Sequence, residues 1–363
     1  MKKNVGLVTL PGNYNYGNRL QNYATSKLFE SLSCKPETLL YSGKSVLAHA
    51  RHFVGGLLYG KGPEELMNKE RKDRFAAFSE LIPTREVTGR LSAVKDAYDF
   101  FAVGSDQVWN PRGIDSYQFM FLTFADRAKR LTIAPSLGVS EIPDAYSKHM
   151  IKKGLMGFDN LTCREKAGAD LIYSLTGKKA TVTVDPTMML SPASWRSVSS
   201  DDLTPDAPYI FSYTLGEMSD DQKAYMRDLE NRTGAERVIY LSDRSKPGEI
   251  DAGPAEFISL IDHAEHVVTD SFHAAVFSLL MSTPFTIFKR VGTSNSMFSR
   301  LETLTSKFNC AYRIHGDVGF DAEKSALAPS IENDIVRERA LFMDELAKTM
   351  PTQARDIIAK QGI

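Results

Sequence analysis

The chain has 363 residues, a hydrophobic fraction of 42%, a charged fraction of 25% and a formal net charge of −1. These are the proportions of an ordinary globular protein, long enough for two domains that bury sizeable cores without disulfides. The balanced charge gives no general pull toward nucleic acid, and no apolar run approaches the ~20 residues needed to span a bilayer.

The N-terminus, MKKNVGLVTLPGNY, has a short apolar run cut by Pro11 and Gly12. It reads as a first strand, Val5 to Leu10, and not as a leader. The loop Pro11–Gly17 follows, then a helix from about Asn18 to Leu32 with Leu20, Tyr23, Ala24 and Leu28 on one face. A strand, loop and helix in this order is a usual place for a ligand. Asn13, Asn15 and Asn18 can bond a polyol or a phosphate there; alternatively they satisfy their own backbone in a tight turn. The loop is not GxGxxG, so no dinucleotide fingerprint is read. Leu39 to Tyr41 is a second strand. Ser45 to Leu81 opens apolar and basic, turns at Gly60–Pro63 and continues as a charged helix. A helical hairpin covering the sheet is the favoured form, because Gly55 and Gly56 weaken a long amphipathic helix. The alternative is a membrane-surface contact through His49, Arg51, His52, Phe53, Leu57 and Leu58.

Tyr98 to Val103 is a strand that ends in Gly104, Ser105, Asp106 and Gln107. Asp106 and Gln107 can bond vicinal hydroxyls, and Trp109 is either an aromatic face for a sugar ring or a core residue. Leu131–Ala134, Asn160–Cys163 and Thr181–Val184 are further strands, each ending in polar residues, among them Arg164 and Asp185. This series of strand-then-helix steps predicts a doubly wound sheet. Ser191–Pro208, rich in proline and serine and without periodicity, is the expected linker. Beyond it Tyr209–Tyr213 and Arg237–Leu241 are strands around a helix at Ser219–Thr233. Ile331 to Lys360 is one or two amphipathic helices.

The densest stretch runs from Gly253 to Arg290. Glu256–Ala264 has helical apolar spacing, Val267 and Val268 form a short strand, and Ser271 is an N-cap for a helix from Phe272 to Met281. Pro284 stops that helix and Phe285–Phe288 is the next strand, so the unit is βαβ and parallel. Asp270, Ser271, Phe272 and His273 then lie at one strand's carboxyl end, with Lys289 and Arg290 at the neighbouring one. A helix N-terminus, cations and a histidine together suit an anion and a proton transfer. His263 and His266 cannot join His273 around one ion from a helix and a strand, and no zinc spacing is present, so no metal is expected. The cysteines Cys34, Cys163 and Cys310 lie far apart, without metal or redox spacing, and suit a reducing cytoplasm.

TDSFHAAVFSLL followed by PFTIFKR resembles the polysaccharide pyruvyl transferase family. GNYNYGNRLQNYA near the start, FAVGSDQVWNP, CREKAG and VDPTMML resemble the same family, in order, over about residues 5–310. The resemblance implies a GT-B-like α/β fold: two Rossmann-like domains facing a cleft, with a C-terminal helix crossing back to the first domain. On this basis residues 1–190 are an acceptor-side domain with a helical insertion near 45–82, 191–208 the linker, 209–330 the donor-side domain, and 331–363 the returning helices. It implies transfer of the enolpyruvyl unit of phosphoenolpyruvate to two sugar hydroxyls, giving a cyclic ketal and phosphate, with no separate cofactor. His273 is then the general acid/base, with Asp270, Ser271, Phe272, Lys289, Arg290 and Arg300 on the donor. Asn13, Asn15, Asn18, Asn22, Ser105, Asp106, Gln107, Trp109 and Arg164 face the acceptor, a sugar of a polysaccharide or of a lipid-linked precursor. Many members carry an arginine two residues before the histidine; Ser271 stands there, so Lys289, Arg290 or Arg300 must replace it or the donor is held differently. A nucleotide-sugar glycosyltransferase and a non-catalytic glycan-binding member are the alternatives.

Overall fold

The computed structural model describes residues 2–12, 14–41, 67–291, 298–324 and 327–350. Asn13, the opening of the insertion with its membrane-contact candidates, and the chain beyond Met350 lie outside the described residues. The first unit is a parallel sheet of β1 (Lys3–Val8), β2 (Cys34–Tyr41), β3 (Thr84–Val87), β4 (Phe100–Gly104) and β5 (Arg130–Ile133). Its order, β3-β2-β1-β4-β5, is that of a Rossmann sheet. The inner strand β4 is buried on both faces, as its continuous apolar run FFAVG requires. The edge strand β3 buries only Val87, too little apolar signal for the sequence to reveal it. Asn160–Cys163 and Thr181–Val184 contract to β6 (Thr162–Cys163) and β7 (Thr181–Val182), a small separate sheet. Side chains tie it to β5: the Thr162 N–H donates to Thr132 Oγ1 at 2.9 Å, and the Ala134 N–H to Thr162 Oγ1 at 3.1 Å.

The second unit is a parallel sheet of β8 (Tyr209–Tyr213), β9 (Arg237–Leu241), β10 (His266–Thr269) and β11 (Phe285–Ile287), in the order β11-β10-β8-β9. Among the helices that position the site, α1 (Tyr16–Ser31) follows β1 and α2 (Lys69–Ser79) precedes β3. The expected linker is partly helical. It opens with α3 (Pro192–Arg196), whose Trp195 is fully buried between Tyr23 and Phe277, at ring-centroid distances of 5.6 and 4.8 Å. The indole N–H donates to Thr187 O at 3.0 Å, so this segment pins the two units together. The second unit contributes α4 (Pro254–Asp262), α5 (Phe272–Met281) and α6 (Ser299–Lys307), and the chain continues into α7 (Ser330–Thr349).

The units share an aromatic and polar seam. Tyr16 packs on Phe257 at 4.9 Å and donates to Ala252 O at 2.6 Å. The buried Arg71 of α2 donates to Ser242 O at 3.1 Å and Ile250 O at 2.7 Å, and Arg74 pairs with Glu256 at 2.7 Å. Helix α7 returns to the first unit, where Arg339 donates to the carbonyls of Met188 at 2.6 Å and Leu190 at 2.7 Å. Two Rossmann-like sheets and a returning C-terminal helix make a GT-B-like fold. In each sheet the strand order reverses at one point, between β1 and β4 and between β8 and β10. Ligands of open α/β sheets bind beyond the carboxyl ends of strands at such points, and here both open on one cleft.

Candidate active site

The cleft has a volume of about 390 Å³ and is bordered by the residues that leave those strands: Leu10 after β1, Asp106 and Gln107 after β4, Tyr213 and Leu215 after β8, Asp270 after β10. Three helices also begin on it, since Asn15 and Gly17 of α1, Phe272 and His273 of α5, and Phe298 and Arg300 of α6 border it. Helix N-termini present N–H groups without intrahelical acceptors, which favours an anion. At α5 no side chain fills this role. The Ser271 hydroxyl makes no cap bond, and its own N–H is taken by Thr269 Oγ1 at 2.9 Å.

The catalytic candidate His273 and the donor candidates Asp270, Ser271, Phe272, Lys289, Arg290 and Arg300 all border this cleft. They are not equivalent. Asp270 accepts from the Leu215 and Gly216 N–H groups at 2.8 and 2.9 Å and from Arg290 Nε at 2.8 Å, so it braces the turn after β8 and holds Arg290. Lys289 pairs with Asp317. Arg300 is 9% exposed, its Nε is buried without a partner, and it has no ion pair among the described residues. Burial lowers its pKa to about 10, helped by the nearby Arg164.

His273 stands in the first turn of α5 with its ring against Gly17 of α1. A Cβ at residue 17 would lie 1.9 Å from Nδ1, so only glycine admits the imidazole. The Nε2 atom is buried, 3.7 Å from Asp185 Oδ2, an ion-pair distance longer than a hydrogen bond. That carboxylate is fully buried and also accepts from Arg164 Nη1 at 2.7 Å, Ser105 Oγ at 2.8 Å, and the Thr187 N–H and hydroxyl at 3.0 and 2.8 Å. Burial pushes the Asp185 pKa up; His273, Arg164 and the Thr187 N–H outweigh it and hold the carboxyl well below the usual range. Asp185 was not among the sequence candidates. Its signal was a polar residue at a strand end inside VDPTMML, shared by several other strands. Arg164 also contacts Asp106 Oδ1 at 3.4 Å and lies 4.5 Å from the Phe272 ring centroid.

The acceptor candidates divide. Asn15, Asn18, Asp106 and Gln107 border the cleft. Asn15 accepts from the Asn18 N–H at 2.9 Å as N-cap of α1, so that helix begins at Tyr16, two residues earlier than the spacing suggested. Asn18 lies within the helix, its Oδ1 accepting from Arg19 at 2.7 Å and its Nδ2 buried and unbonded. Ser105 and Arg164 lie beneath the cleft, holding Asp185. Two candidates are corrected. Trp109 is 1% exposed, stacked on Phe121 at 5.6 Å with its N–H on Met120 O, and presents no face to a sugar. Asn22 is buried on the inner side of α1, where Oδ1 accepts from Thr38 Oγ1 at 2.7 Å. Residue type alone suggested both; Trp109 takes the core alternative, and Asn22 faces the sheet. Gln21, which was not a candidate, bridges the switch point, accepting from the Ser105 N–H at 2.9 Å and donating to Thr9 Oγ1 at 2.8 Å.

Among the described residues no three His, Cys, Asp or Glu side chains converge as a metal site. His266 bonds Thr286 Oγ1 at 2.9 Å, and burial lowers its pKa to about 3. A larger groove, about 1130 Å³, runs along α7 by Leu279, Pro284, Ile335 and Arg339. It lies at the amino ends of the second sheet's strands, away from both switch points. No helix among the described residues is long and apolar enough to cross a membrane.

Two parallel α/β sheets whose switch points open on one cleft, with a C-terminal helix that returns to the first unit, define a class: GT-B-like two-domain proteins. The polysaccharide pyruvyl transferase family model matches residues 15–290, and the chain belongs to that family. No curated protein sequence matches the chain. Among solved structures it is similar to a Listeria monocytogenes protein described as a UDP-N-acetylglucosamine 2-epimerase, at 11% identity and TM-score 0.48, over 99% of this chain and 91% of that one. S. aureus MnaA with UDP follows at 11% identity and TM-score 0.47, over 95% and 88%. Anabaena HepE with UDP has 11% identity and TM-score 0.43, over 99% of each chain. Likenesses of this strength carry nothing about what this chain binds.

Proposed function

We propose that the protein is a pyruvyl transferase that moves the enolpyruvyl unit of phosphoenolpyruvate onto two hydroxyls of one sugar in a polysaccharide or a lipid-linked precursor. The observation that carries this reading is the placing of His273, backed by Asp185, on the same cleft wall as an unfilled helix N-terminus and three cationic side chains. One sugar hydroxyl adds to C2 of the donor while its methylene carbon gains a proton and becomes a methyl group. The second hydroxyl then displaces phosphate, and its proton leaves with that phosphate. Two C–O bonds form, one breaks, and no redox change occurs. His273 moves the proton between the first hydroxyl and the methylene carbon; Asp185 keeps the ring oriented. The α5 N-terminus and the cations of the second unit receive the donor. Asn18, Asp106 and Gln107 face the acceptor hydroxyls from the first unit. The protein acts in the cytoplasm, where phosphoenolpyruvate is found.

The test is phosphate release from phosphoenolpyruvate with and without galactose- and mannose-containing acceptors, followed by mass spectrometry of the sugar. Acceptor-dependent release with a pyruvate adduct is the expected result. No release with stabilisation by a nucleoside diphosphate would instead indicate glycosyl transfer, and stabilisation by glycan alone a binding protein.

A further inference from the structure

Arg300 breaks three local rules at once. It is a cation in the first turn of a helix, where the helix dipole repels positive charge. It is nine-tenths buried with its Nε unbonded. The charges around it include two more arginines, Arg164 and Arg290. The nearby acids do not neutralise it by contact. Asp106 is engaged with Arg164 and Asp270 with Arg290; Glu165 Oε1 accepts from the Ser136 hydroxyl and the Leu137 N–H, while its Oε2 is buried without a hydrogen bond and makes no ion pair with Arg300 among the described residues. A buried cation without a partner is costly to the fold, and side chains that violate local rules without compensation mark functional sites. Arg300 borders the cleft directly, so a ligand anion can supply the missing partner.

We propose that Arg300 is the seat of the donor's carboxylate, with the phosphate at the N-terminus of α5. The proposal rests on the pyruvyl-transfer reading and sharpens it. A guanidinium fork matches the two coplanar oxygens of a carboxylate. The carboxylate keeps its charge from donor to ketal, so a fixed cation suits it. The phosphate must depart beside the proton-handling His273, and α5 places that residue and its free N–H groups together. The position of Ser271 is thereby relieved of carboxylate binding, because the cation arrives from α6.

The experiment titrates full-length wild type, Arg300→Gln and Arg300→Lys with phosphoenolpyruvate, inorganic phosphate and pyruvate, the weak ligands by ligand-observed NMR. Arg300→Gln should weaken phosphoenolpyruvate by about 10- to 100-fold, the worth of one charge-assisted pair. Pyruvate binding should vanish, phosphate affinity should hold, and Arg300→Lys should recover part of the loss. In turnover the KM for phosphoenolpyruvate should rise more than kcat falls. The melting temperature of Arg300→Gln should stay level or rise, since an unpaired buried charge is removed. Unchanged affinity for phosphoenolpyruvate and pyruvate overturns the proposal, as does a phosphate loss equal to that of phosphoenolpyruvate. A lowered melting temperature assigns Arg300 to the fold and overturns it too. If wild type binds pyruvate but does not bind or turn over phosphoenolpyruvate, the pyruvyl-transfer reading fails, and the pyruvate arm alone decides on Arg300. If wild type binds neither, both fail.

Discussion

The two walls of the cleft are built on the same sheet logic and end in opposite chemistry. On the first unit's wall the polar groups are largely engaged with each other: Asn15 caps α1, Gln21 joins Thr9 to Ser105, and Arg164 is locked between Asp185 and Asp106. On the second unit's wall a helix begins without a side-chain cap, and Arg300 makes no ion pair among the described residues. Under the proposed function the first wall offers hydrogen-bonding edges to hydroxyls, and the second offers the uncapped N–H groups of α5 and the guanidinium of Arg300 to an anion. His273 belongs to the second wall by sequence and to the first by contact, through Asp185 and Gly17. A side chain shared in this way keeps its place only when the units are docked as they are here.

This comparison can be broken most sharply at His273. His273→Ala should lower acceptor-dependent phosphate release by about 10²- to 10⁴-fold with unchanged circular dichroism; retained turnover would remove the residue from the mechanism. Next is Trp109→Ala, which separates fold from site on the first wall. It should cost about 3–5 kcal/mol in urea unfolding and leave the acceptor KM of the folded protein unaltered. A raised KM would return the indole to the sugar site.

Asp185→Asn should destabilise by about 3 kcal/mol at neutral pH, because Arg164 keeps only its longer contact to Asp106. The sign with pH follows from the depressed pKa. The folded value lies below the unfolded one of about 3.9, so the carboxylate's stabilisation is complete above about pH 4 and is lost as pH falls further. Urea midpoints of wild type and variant should therefore keep a constant gap from pH 7 to about 4 and begin to close below it. Parallel curves throughout would show that the charge of Asp185 does not matter. The smallest change is Gly17→Ala. One methyl group at His273 should displace the ring, slow turnover by about 10²-fold and cost about 1–3 kcal/mol by overpacking; normal turnover would mean that the ring is not held against α1 in the working enzyme.

Much of this was legible in the chain. The run from Pro254 to Ile287 has apolar periods that switch from helix to strand and back, and α5 begins and ends where Ser271 and Pro284 predicted. Placing His273, Lys289 and Arg290 on one edge followed, because parallel βαβ connection leaves little freedom. The strands β6 and β7 were legible but shorter than their patterns, while the edge strand β3 and the helix of Trp195 were obscured by weak apolar signals or by proline and serine around them.

Local pattern determined which residues end strands and begin helices, since hydrogen-bonding period and capping act over a few residues. Only the tertiary structure decided which of those polar ends meet. Trp109 and Asp185 illustrate the limit. Both follow strands in comparable company, yet one turns into the core and the other backs the histidine from almost ninety residues away in sequence. Arg300 was one cation among several in the sequence. What separates it is the absence of a partner, a property of packing and charge summed over both units, which no local stretch of chain contains.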